Sequence, residues 1–396
     1  MKIAFVADGR SDHARRWINY FAPRCEVLLI STFECAPIPG VSIVTLPGRF
    51  RLSGQLLSGS TQMRKHSAFI TWLIIRALRN DIVNQLWAFL KLTDLFKQVR
   101  STRTVLRNFR PDVIHALRIQ NEGYLAAFNH AEDYFVSSWG SDFIDTAKNS
   151  FIHRQLTKFT LKNAKIFMAD CERDVLLASK FSLPQDVPRF VFPGNGGVNS
   201  EIFYPPVALC CTPTILYCRG MSRVTRIDTL LDGFKLLQAR SNNAVHLTIL
   251  APTGTHREFT ESIIRREVEP TSITLRDYVD PMELAQTMRE HTVFVSPMMS
   301  DGVPNSMLEA MACGMIPVMS DLESVREYVT NGINGYIFDP QSPESLCTSL
   351  QQALDATESG FRVANIASIQ ARCDYQSCLS RVLNIYQDSK NNLNVV

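Results

Sequence analysis

Short apolar runs recur along the chain, each followed by a polar turn and often by a stretch whose apolar residues return every three or four positions. Residues 2–7 (KIAFVA) form the first run. Asp8, Gly9, Arg10 and Ser11 make the turn, and 13–21 carries Trp17 and Phe21 on one helical face. Runs at 25–30, 41–46, 112–116 (DVIHA), 134–138, 165–169 and 189–192 predict buried strands, with helices at 124–128 and 173–179. Pro205 and Pro206 interrupt the pattern as a stiff linker. It resumes at 214–218 (TILYC), with Ile227, Leu230, Leu231, Phe234 and Leu237 at helical spacing. A strand at 245–250 and a helix opened by Asp280 and Pro281 follow. Strand–turn–helix repeated in this way predicts a doubly wound α/β fold in two domains.

One stretch in the second half carries candidate chemistry, 300–320 (SDGVPNSMLEAMACGMIPVMS). Apolar runs at 292–297 and 316–319 flank it as strands. Met307, Ala310, Met311 and Gly314 fall at i, i+3, i+4 and i+7, one face of a helix that Gly314 closes. The loop before that helix therefore sits at the carboxyl end of a parallel sheet, where open α/β sheets bind ligands. It bears Asp301, Gly302, Val303, Pro304, Asn305 and Ser306, and the helix bears Glu309. Two readings stand side by side here. Ser306-x-x-Glu309 has the spacing of a capping box and Asp301 could be a solvated loop acid; or the two carboxylates bracket a ligand.

Composition narrows the setting. With 396 residues, 45% of them hydrophobic and 20% charged, the chain has the make-up of two globular domains. No signal peptide is read at the N-terminus, and no apolar stretch reaches the ~18 residues of a membrane span. Ten cysteines without a CxxC pair read as reduced thiols of a cytoplasmic protein. The net charge is only +3, yet residues 49–110 hold twelve Lys or Arg against two acids, Asp81 and Asp94, which leaves the remainder net negative. This segment predicts two or three amphipathic helices with a cationic surface, suited to an anionic membrane face. A solvated basic face on an ordinary core is the plain alternative. Nucleic acid is not expected, since no recognised nucleic-acid motif accompanies the charge.

The string around Asp301 and Glu309 resembles the acid-x7-Glu motif of retaining glycosyltransferases of family 4, with the GxPxxxxEAMAxGxPV frame almost entire. The resemblance covers nearly the whole chain and is strongest over 219–335. It implies the GT-B arrangement, two Rossmann-like doubly wound domains facing across a cleft. The implied domains are an acceptor-side domain over 1–205 (with 49–110 as a basic insertion), a nucleotide-sugar donor domain over 206–375, and a helix and tail over 376–396 that pack back on the first. It implies that Glu309 receives the ribose hydroxyls of a sugar nucleotide, and that Asp301 and Pro304, with the amides of Gly302, Val303 and Asn305, hold the donor sugar. Asp301 stands where glutamate is usual, one methylene shorter. Arg219 matches the arginine that grips the donor diphosphate. Arg223 is the candidate second cation, with Arg226 as the alternative, since no lysine stands there.

On the acceptor side the resemblance points to Gly9 and His13, and to His115 and Asp142 in segments similar to DVIHAH and SWGSD. Leu117 replaces the second histidine of the former, so only His115 carries over, as a catalytic residue beside Asp301 and Arg219. His13 also reads as a plain loop histidine near a helix start, and His115 as one packed at a strand end. The function implied is hexosyl transfer (EC 2.4) with retention, from a UDP- or GDP-sugar to a glycan or lipid-linked acceptor, in assembly of cell-surface polysaccharide or lipopolysaccharide. The enzyme is expected in the cytoplasm, peripheral on the inner face of the membrane. No metal and no cofactor is expected, because the chain has no Asp-x-Asp. The rival readings are a non-catalytic nucleotide-sugar-binding protein and a GT-B sugar-nucleotide epimerase.

Overall fold

The computed structural model describes residues 1–47, 81–129, 134–140, 142–207, 214–220, 224–241, 245–250, 272–356 and 360–393. Arg223 and residues 49–80 of the basic segment lie outside the described residues. The chain divides into two compact units. The first holds residues 1–169, 174–190 and 383–396; the second holds 170–173 and 191–382.

The first unit is built on a seven-stranded sheet, ordered β3-β2-β1-β4-β5-β6-β7. Its strands are β1 (Lys2–Ala7), β2 (Glu26–Ser31), β3 (Val41–Thr45), β4 (Val113–Ala116), β5 (Tyr134–Ser138), β6 (Ile166–Ala169) and β7 (Arg189–Val191). Pairing from β3 through β6 is parallel. Strands buried on both faces read as continuous apolar runs, which is why they were legible in sequence. Between β1 and β2 runs α1 (Asp12–Phe21), capped by the Ser11 hydroxyl and burying Trp17, Ile18 and Phe21. Ahead of β4 comes α2 (Asp81–Phe109), a 29-residue helix within the basic segment for which two or three helices are expected. No proline or glycine lies between Asp81 and Phe109, so nothing breaks it. The connection from β4 is irregular: a π-type turn (Ile119–Gly123) precedes the helix α3 (Tyr124–Asn129), with Asn121 at φ 57 and ψ −64. After β5 come α4 (Phe151–Lys162), and, beyond β6, α5 (Glu172–Lys180).

The second unit has a six-stranded, wholly parallel sheet ordered β10-β9-β8-β11-β12-β13. It comprises β8 (Thr214–Tyr217), β9 (His246–Leu250), β10 (Ile273–Arg276), β11 (Val293–Ser296), β12 (Ile316–Ser320) and β13 (Tyr336–Phe338). Its longer described helices are α6 (Ile227–Arg240), α7 (Pro281–Arg289), α8 (Asn305–Ala312), α9 (Pro343–Asp355) and α10 (Phe361–Cys373); α11 (Tyr375–Leu393) begins in this unit and belongs to the first from Leu383 on. One core lies under α6 and α9, around Phe234, Leu237 and Leu350, and a second under α8, around Met307, Met311 and Phe294. The Asp280 side chain caps α7 as its sequence implied, accepting from the Met282 and Glu283 amides at 2.8 and 2.9 Å.

Each sheet reverses its strand order once, between β1 and β4 in the first unit and between β8 and β11 in the second. Such a switch point opens a crevice at the carboxyl ends of the two strands, where adjoining connections depart to opposite faces.

Candidate active site

In the second unit the switch point collects the donor-side candidates. Arg219 leaves the end of β8, and Asp301 lies in the loop that leaves β11. They meet as an ion pair, Arg219 Nη2 to Asp301 Oδ2, while Arg219 Nη1 donates to Ser306 Oγ at 3.3 Å. Both side chains stay partly open, at 21% and 17% exposure, so an incoming ligand can reach either charge.

The helix that carries Glu309 starts earlier than a capping box would require. Its N-cap is Pro304, which offers no side-chain cap, and the Pro304 carbonyl accepts from the Met307 and Leu308 amides. Ser306 therefore sits in the first turn with its hydroxyl turned to Arg219, and the capping-box reading of Ser306 and Glu309 does not hold. Proline at this position lacks an N–H and is preset at φ −66, so the helix begins at Asn305. The C-terminal end is as predicted. Gly314, at φ +79, donates to the Met311 carbonyl and Met315 donates to Ala310, the paired bonds of a Schellman ending.

Glu309 lies on the inner side of α8 at 6% exposure. Its charge is felt at Cys218, next to Arg219: burial first, and then Glu309, push the Cys218 thiol up to about 12. Arg219, Asp301, Ser306 and Glu309 are thus gathered at one sheet edge, with Gly302, Val303 and Pro304 buried in the loop between them and Asn305 half-buried. The alternative cation Arg226 turns away to Asp228, Nη2 to Oδ2 at 3.0 Å.

The Asp301 loop is held from behind by residues whose sequence gave no sign of it. The Asp301 carbonyl accepts from Arg173 Nη1 at 2.7 Å and from Ser324 Oγ at 3.1 Å. Glu327 accepts from the amides of Glu172 and Arg173 at 3.0 and 3.3 Å. It caps the N-terminus of α5, where a carboxylate is favoured.

The acceptor-side candidates lie in the first unit, and the structure separates their settings. Gly9 follows β1; its amide donates to Ser31 Oγ at 3.0 Å, and a Cβ there would collide with Cys35 and Ser31. His13 is exposed on the first turn of α1, edge-on to Trp139 with ring centroids 6.3 Å apart. Asp142 is fully buried and ties two strand ends together: Oδ1 accepts from Arg118 Nε at 2.9 Å, Oδ2 from the Ile119 and Trp139 amides at 3.1 and 3.3 Å. Burial pushes its carboxyl up, against the pull of Arg118.

His115 is placed differently from a residue that would meet substrate. It is 0% exposed and sits within β4, facing Phe5, Trp17 and Phe135. Its Nδ1 shares a hydrogen bond with Tyr386 of α11 and its Nε2 with Ser137 Oγ. Burial drives its pKa down to about 3, so it stays neutral. Both ring nitrogens are occupied, and the geometry gives His115 a packing role in place of the expected catalytic one. Two residues beside Gly9 and Asp142 carried no sequence signal. Arg118 is half-open, and Glu122 is buried with Thr32 Oγ1 donating to its Oε1 at 2.9 Å.

Known proteins share this fold, and two parts of the chain match glycosyltransferase family models. Residues 212–356 match the family model described as glycosyl transferases group 1, and 75–171 match glycosyl transferase 4-like. A curated relative, O-antigen chain mannosyltransferase B of Escherichia coli, is 23% identical over 236 residues, which are 55% of this chain and 61% of that protein. Among solved structures, sucrose-phosphate synthase of Thermosynechococcus elongatus superposes with a TM-score of 0.73 over 98% of both chains at 15% identity. Anabaena HepE in complex with UDP-glucose gives 0.70 over 98% of this chain and 100% of its own at 14% identity.

Proposed function

We propose that this chain, whose second unit carries the matched group 1 glycosyltransferase domain and whose fold is GT-B, moves a sugar from a nucleotide-sugar donor to a glycan or lipid-linked acceptor. The observation that carries this reading is the convergence of Arg219, Asp301, Ser306 and Glu309 at the switch point of the second sheet. A carboxylate on a helix next to a phosphate-binding arginine suits the two ends of a nucleoside diphosphate: Glu309 accepts from the ribose diol and Arg219 neutralises the diphosphate. Asp301 and the amides of Gly302, Val303 and Asn305 hold the sugar. Arg223 would add a second cation to the diphosphate.

The transfer we propose retains the anomeric configuration. The bond from the anomeric carbon to the diphosphate oxygen breaks as the acceptor oxygen attacks the same face, and the acceptor proton passes to the departing phosphate. Charge grows on that phosphate in the transition state, so Arg219 lowers the barrier as well as binding the donor. In this reading the cation that serves the leaving group is the guanidinium, with no metal required.

The acceptor is proposed to belong to a cell-surface polysaccharide, in keeping with the O-antigen relative, and to be presented at an anionic membrane on the cytoplasmic side. On α2, Lys97, Arg100, Arg103 and Arg107 follow one another along an exposed stripe beside Phe96, which is 72% exposed. Arg103 reaches the Phe128 carbonyl at 3.2 Å, and the Phe128 ring stacks on Phe159 of α4 at 5.1 Å, so basic and aromatic groups share one surface. Each such cation gains ~1 kcal/mol at an anionic leaflet. No helix among the described residues is long and apolar enough to cross a membrane.

The test is incubation with UDP-glucose, UDP-galactose, GDP-mannose and ADP-glucose, with and without a lipid-linked glycan acceptor. Acceptor-dependent release of nucleoside diphosphate with a new glycosidic bond of unchanged anomeric configuration is expected. Donor turnover without acceptor would make the chain an epimerase or hydrolase, and tight donor binding without turnover would make it a binding protein. In flotation, vesicles with anionic lipid should carry the wild type and lose it when Lys97, Arg100 and Arg107 become Gln; binding that ignores lipid charge would remove the membrane.

A further inference from the structure

We infer that Arg173, together with Ser324 and set in place by Glu327, is a positioning residue for donor-sugar recognition: it fixes the backbone of Asp301 so that a short carboxylate reaches the sugar. The inference rests on the donor role proposed above for Asp301. In chain order Arg173 is far from the loop, in a stretch whose flanking residues belong to the first unit, yet residues 170–173 are part of the second.

Asp301 is held at both ends. Its carboxylate is paired with Arg219, and its carbonyl takes one hydrogen bond from Arg173 Nη1 and another from Ser324 Oγ, one for each lone pair. The two anchors respond differently to substrate. Arg219 is the group that a donor diphosphate would recruit, and in doing so it would loosen its ion pair with Asp301. The carbonyl anchors do not involve the phosphate and remain. Ser324 is fully buried on a short helix (Glu323–Arg326), so its hydroxyl cannot follow a moving loop. Arg173 is set by Glu327, whose carboxylate accepts the Arg173 amide and that of Glu172. The clamp therefore runs from Glu327 through the N-terminus of α5 and the Arg173 guanidinium to the Asp301 carbonyl.

The need for such a clamp follows from side-chain length. A glutamate has an extra rotatable bond with which to correct for a displaced backbone. Aspartate has a fixed short reach, so the backbone must be right to within a fraction of an ångström. A misplacement of 1 Å can cost about 100-fold in rate. Losing a hydrogen bond from a charged donor corresponds to about 10-fold or more. Arg173 acts through the Asp301 carbonyl, whereas the nucleotide contacts are assigned to Glu309 and Arg219, so its loss should be felt by the sugar and not by the nucleotide.

The test uses the full chain and separates the two. Affinity for UDP and GDP is measured by calorimetry, and kcat and KM are measured with whichever donor of the panel the wild type turns over. Arg173→Ala should lower kcat/KM about 10-fold or more, mainly through kcat, while the Kd for the nucleoside diphosphate stays within about twofold. Arg173→Lys, which keeps one donor for the carbonyl, should recover most of the loss. If Arg173→Ala does not fold, Ser324→Ala removes the other donor to the same carbonyl and should show the same split at smaller size. Unchanged kcat/KM in the folded variant overturns the inference, as does a parallel fall in nucleoside diphosphate affinity. An active wild type with an indifferent Arg173 sinks the clamp alone. A wild type that turns over no donor sinks the transfer reading and the clamp with it.

Discussion

Glu309→Gln is the substitution that most sharply divides a structural from a functional role for the motif. Were Glu309 the closing residue of a capping box, its loss would cost ~0.5–2 kcal/mol of stability. In the structure the cap is Pro304 with no side-chain partner, and Glu309 is the fifth residue of α8, beyond the first turn in which the helix dipole favours a carboxylate. Glutamine keeps the volume at this 6%-exposed position and removes one charge. Stability should therefore change by about 1 kcal/mol or less, a shift of ~2–4 °C at most in a unit of this size. Binding should behave otherwise. A charge-assisted hydrogen bond from a ribose hydroxyl is worth ~1.5–3 kcal/mol, so the Kd for the nucleoside diphosphate should rise about 10- to 150-fold. Thermal melts paired with calorimetric titration of UDP and GDP read both quantities on one preparation. Wild-type affinity in Glu309→Gln would refute the donor role. A melting point several degrees lower, with binding lost in step, would return the residue to structure.

Three other outcomes follow from the geometry. Arg219→Ala should raise KM for the donor and lower kcat together, since the phosphate charge it meets grows in the transition state; steady-state kinetics like wild type would remove it from the phosphate site. Tyr386→Phe should cost ~1–3 kcal/mol in denaturant unfolding of the first unit, because it strips the Nδ1 partner from a fully buried His115; a change below about 0.5 kcal/mol would mean that this bond carries nothing. Glu122 has its carboxyl raised by burial to about 7 from an ordinary 4.5, so the folded state binds the extra proton between those values. Its contribution is present below about 4.5 and is lost as pH rises through 7, by at most about 3 kcal/mol. Glu122→Gln should flatten that part of the stability–pH curve relative to wild type, and identical curves would show that Glu122 does not titrate in this window.

The strands and most helix bounds were legible because their causes are local. Alternation, helical spacing, the Asp280 cap and the left-handed turn at Gly314 each need only a few consecutive residues. Of the two or three helices expected over 49–110, the described residues hold α2, which runs unbroken because no Pro or Gly lies between 81 and 109. Of the two readings open at Ser306 and Glu309, the capping box falls because its spacing arises by chance, while the start of the helix is decided by Pro304 two residues earlier. His115 was read correctly as part of a strand, but its exposure could not be read, since the residue that covers its Nδ1 is Tyr386, 271 positions away.

By itself, then, the sequence determined the alternation of strands and helices, the two-domain division and the motif that brings Asp301 and Glu309 to one loop and helix. These follow from backbone periodicity and from side chains a turn apart. Only the tertiary structure decided that Arg219 pairs with Asp301, that Arg173 and Ser324 hold the same residue from behind, and that His115 is sealed in a core. Those facts depend on strand order and helix placement, which bring together residues 82, 128, 23 and 271 positions apart. The physical reason is that a contact across the fold is a property of packing, and packing is settled by all the apolar surfaces at once, whereas a turn or a cap is settled by its neighbours.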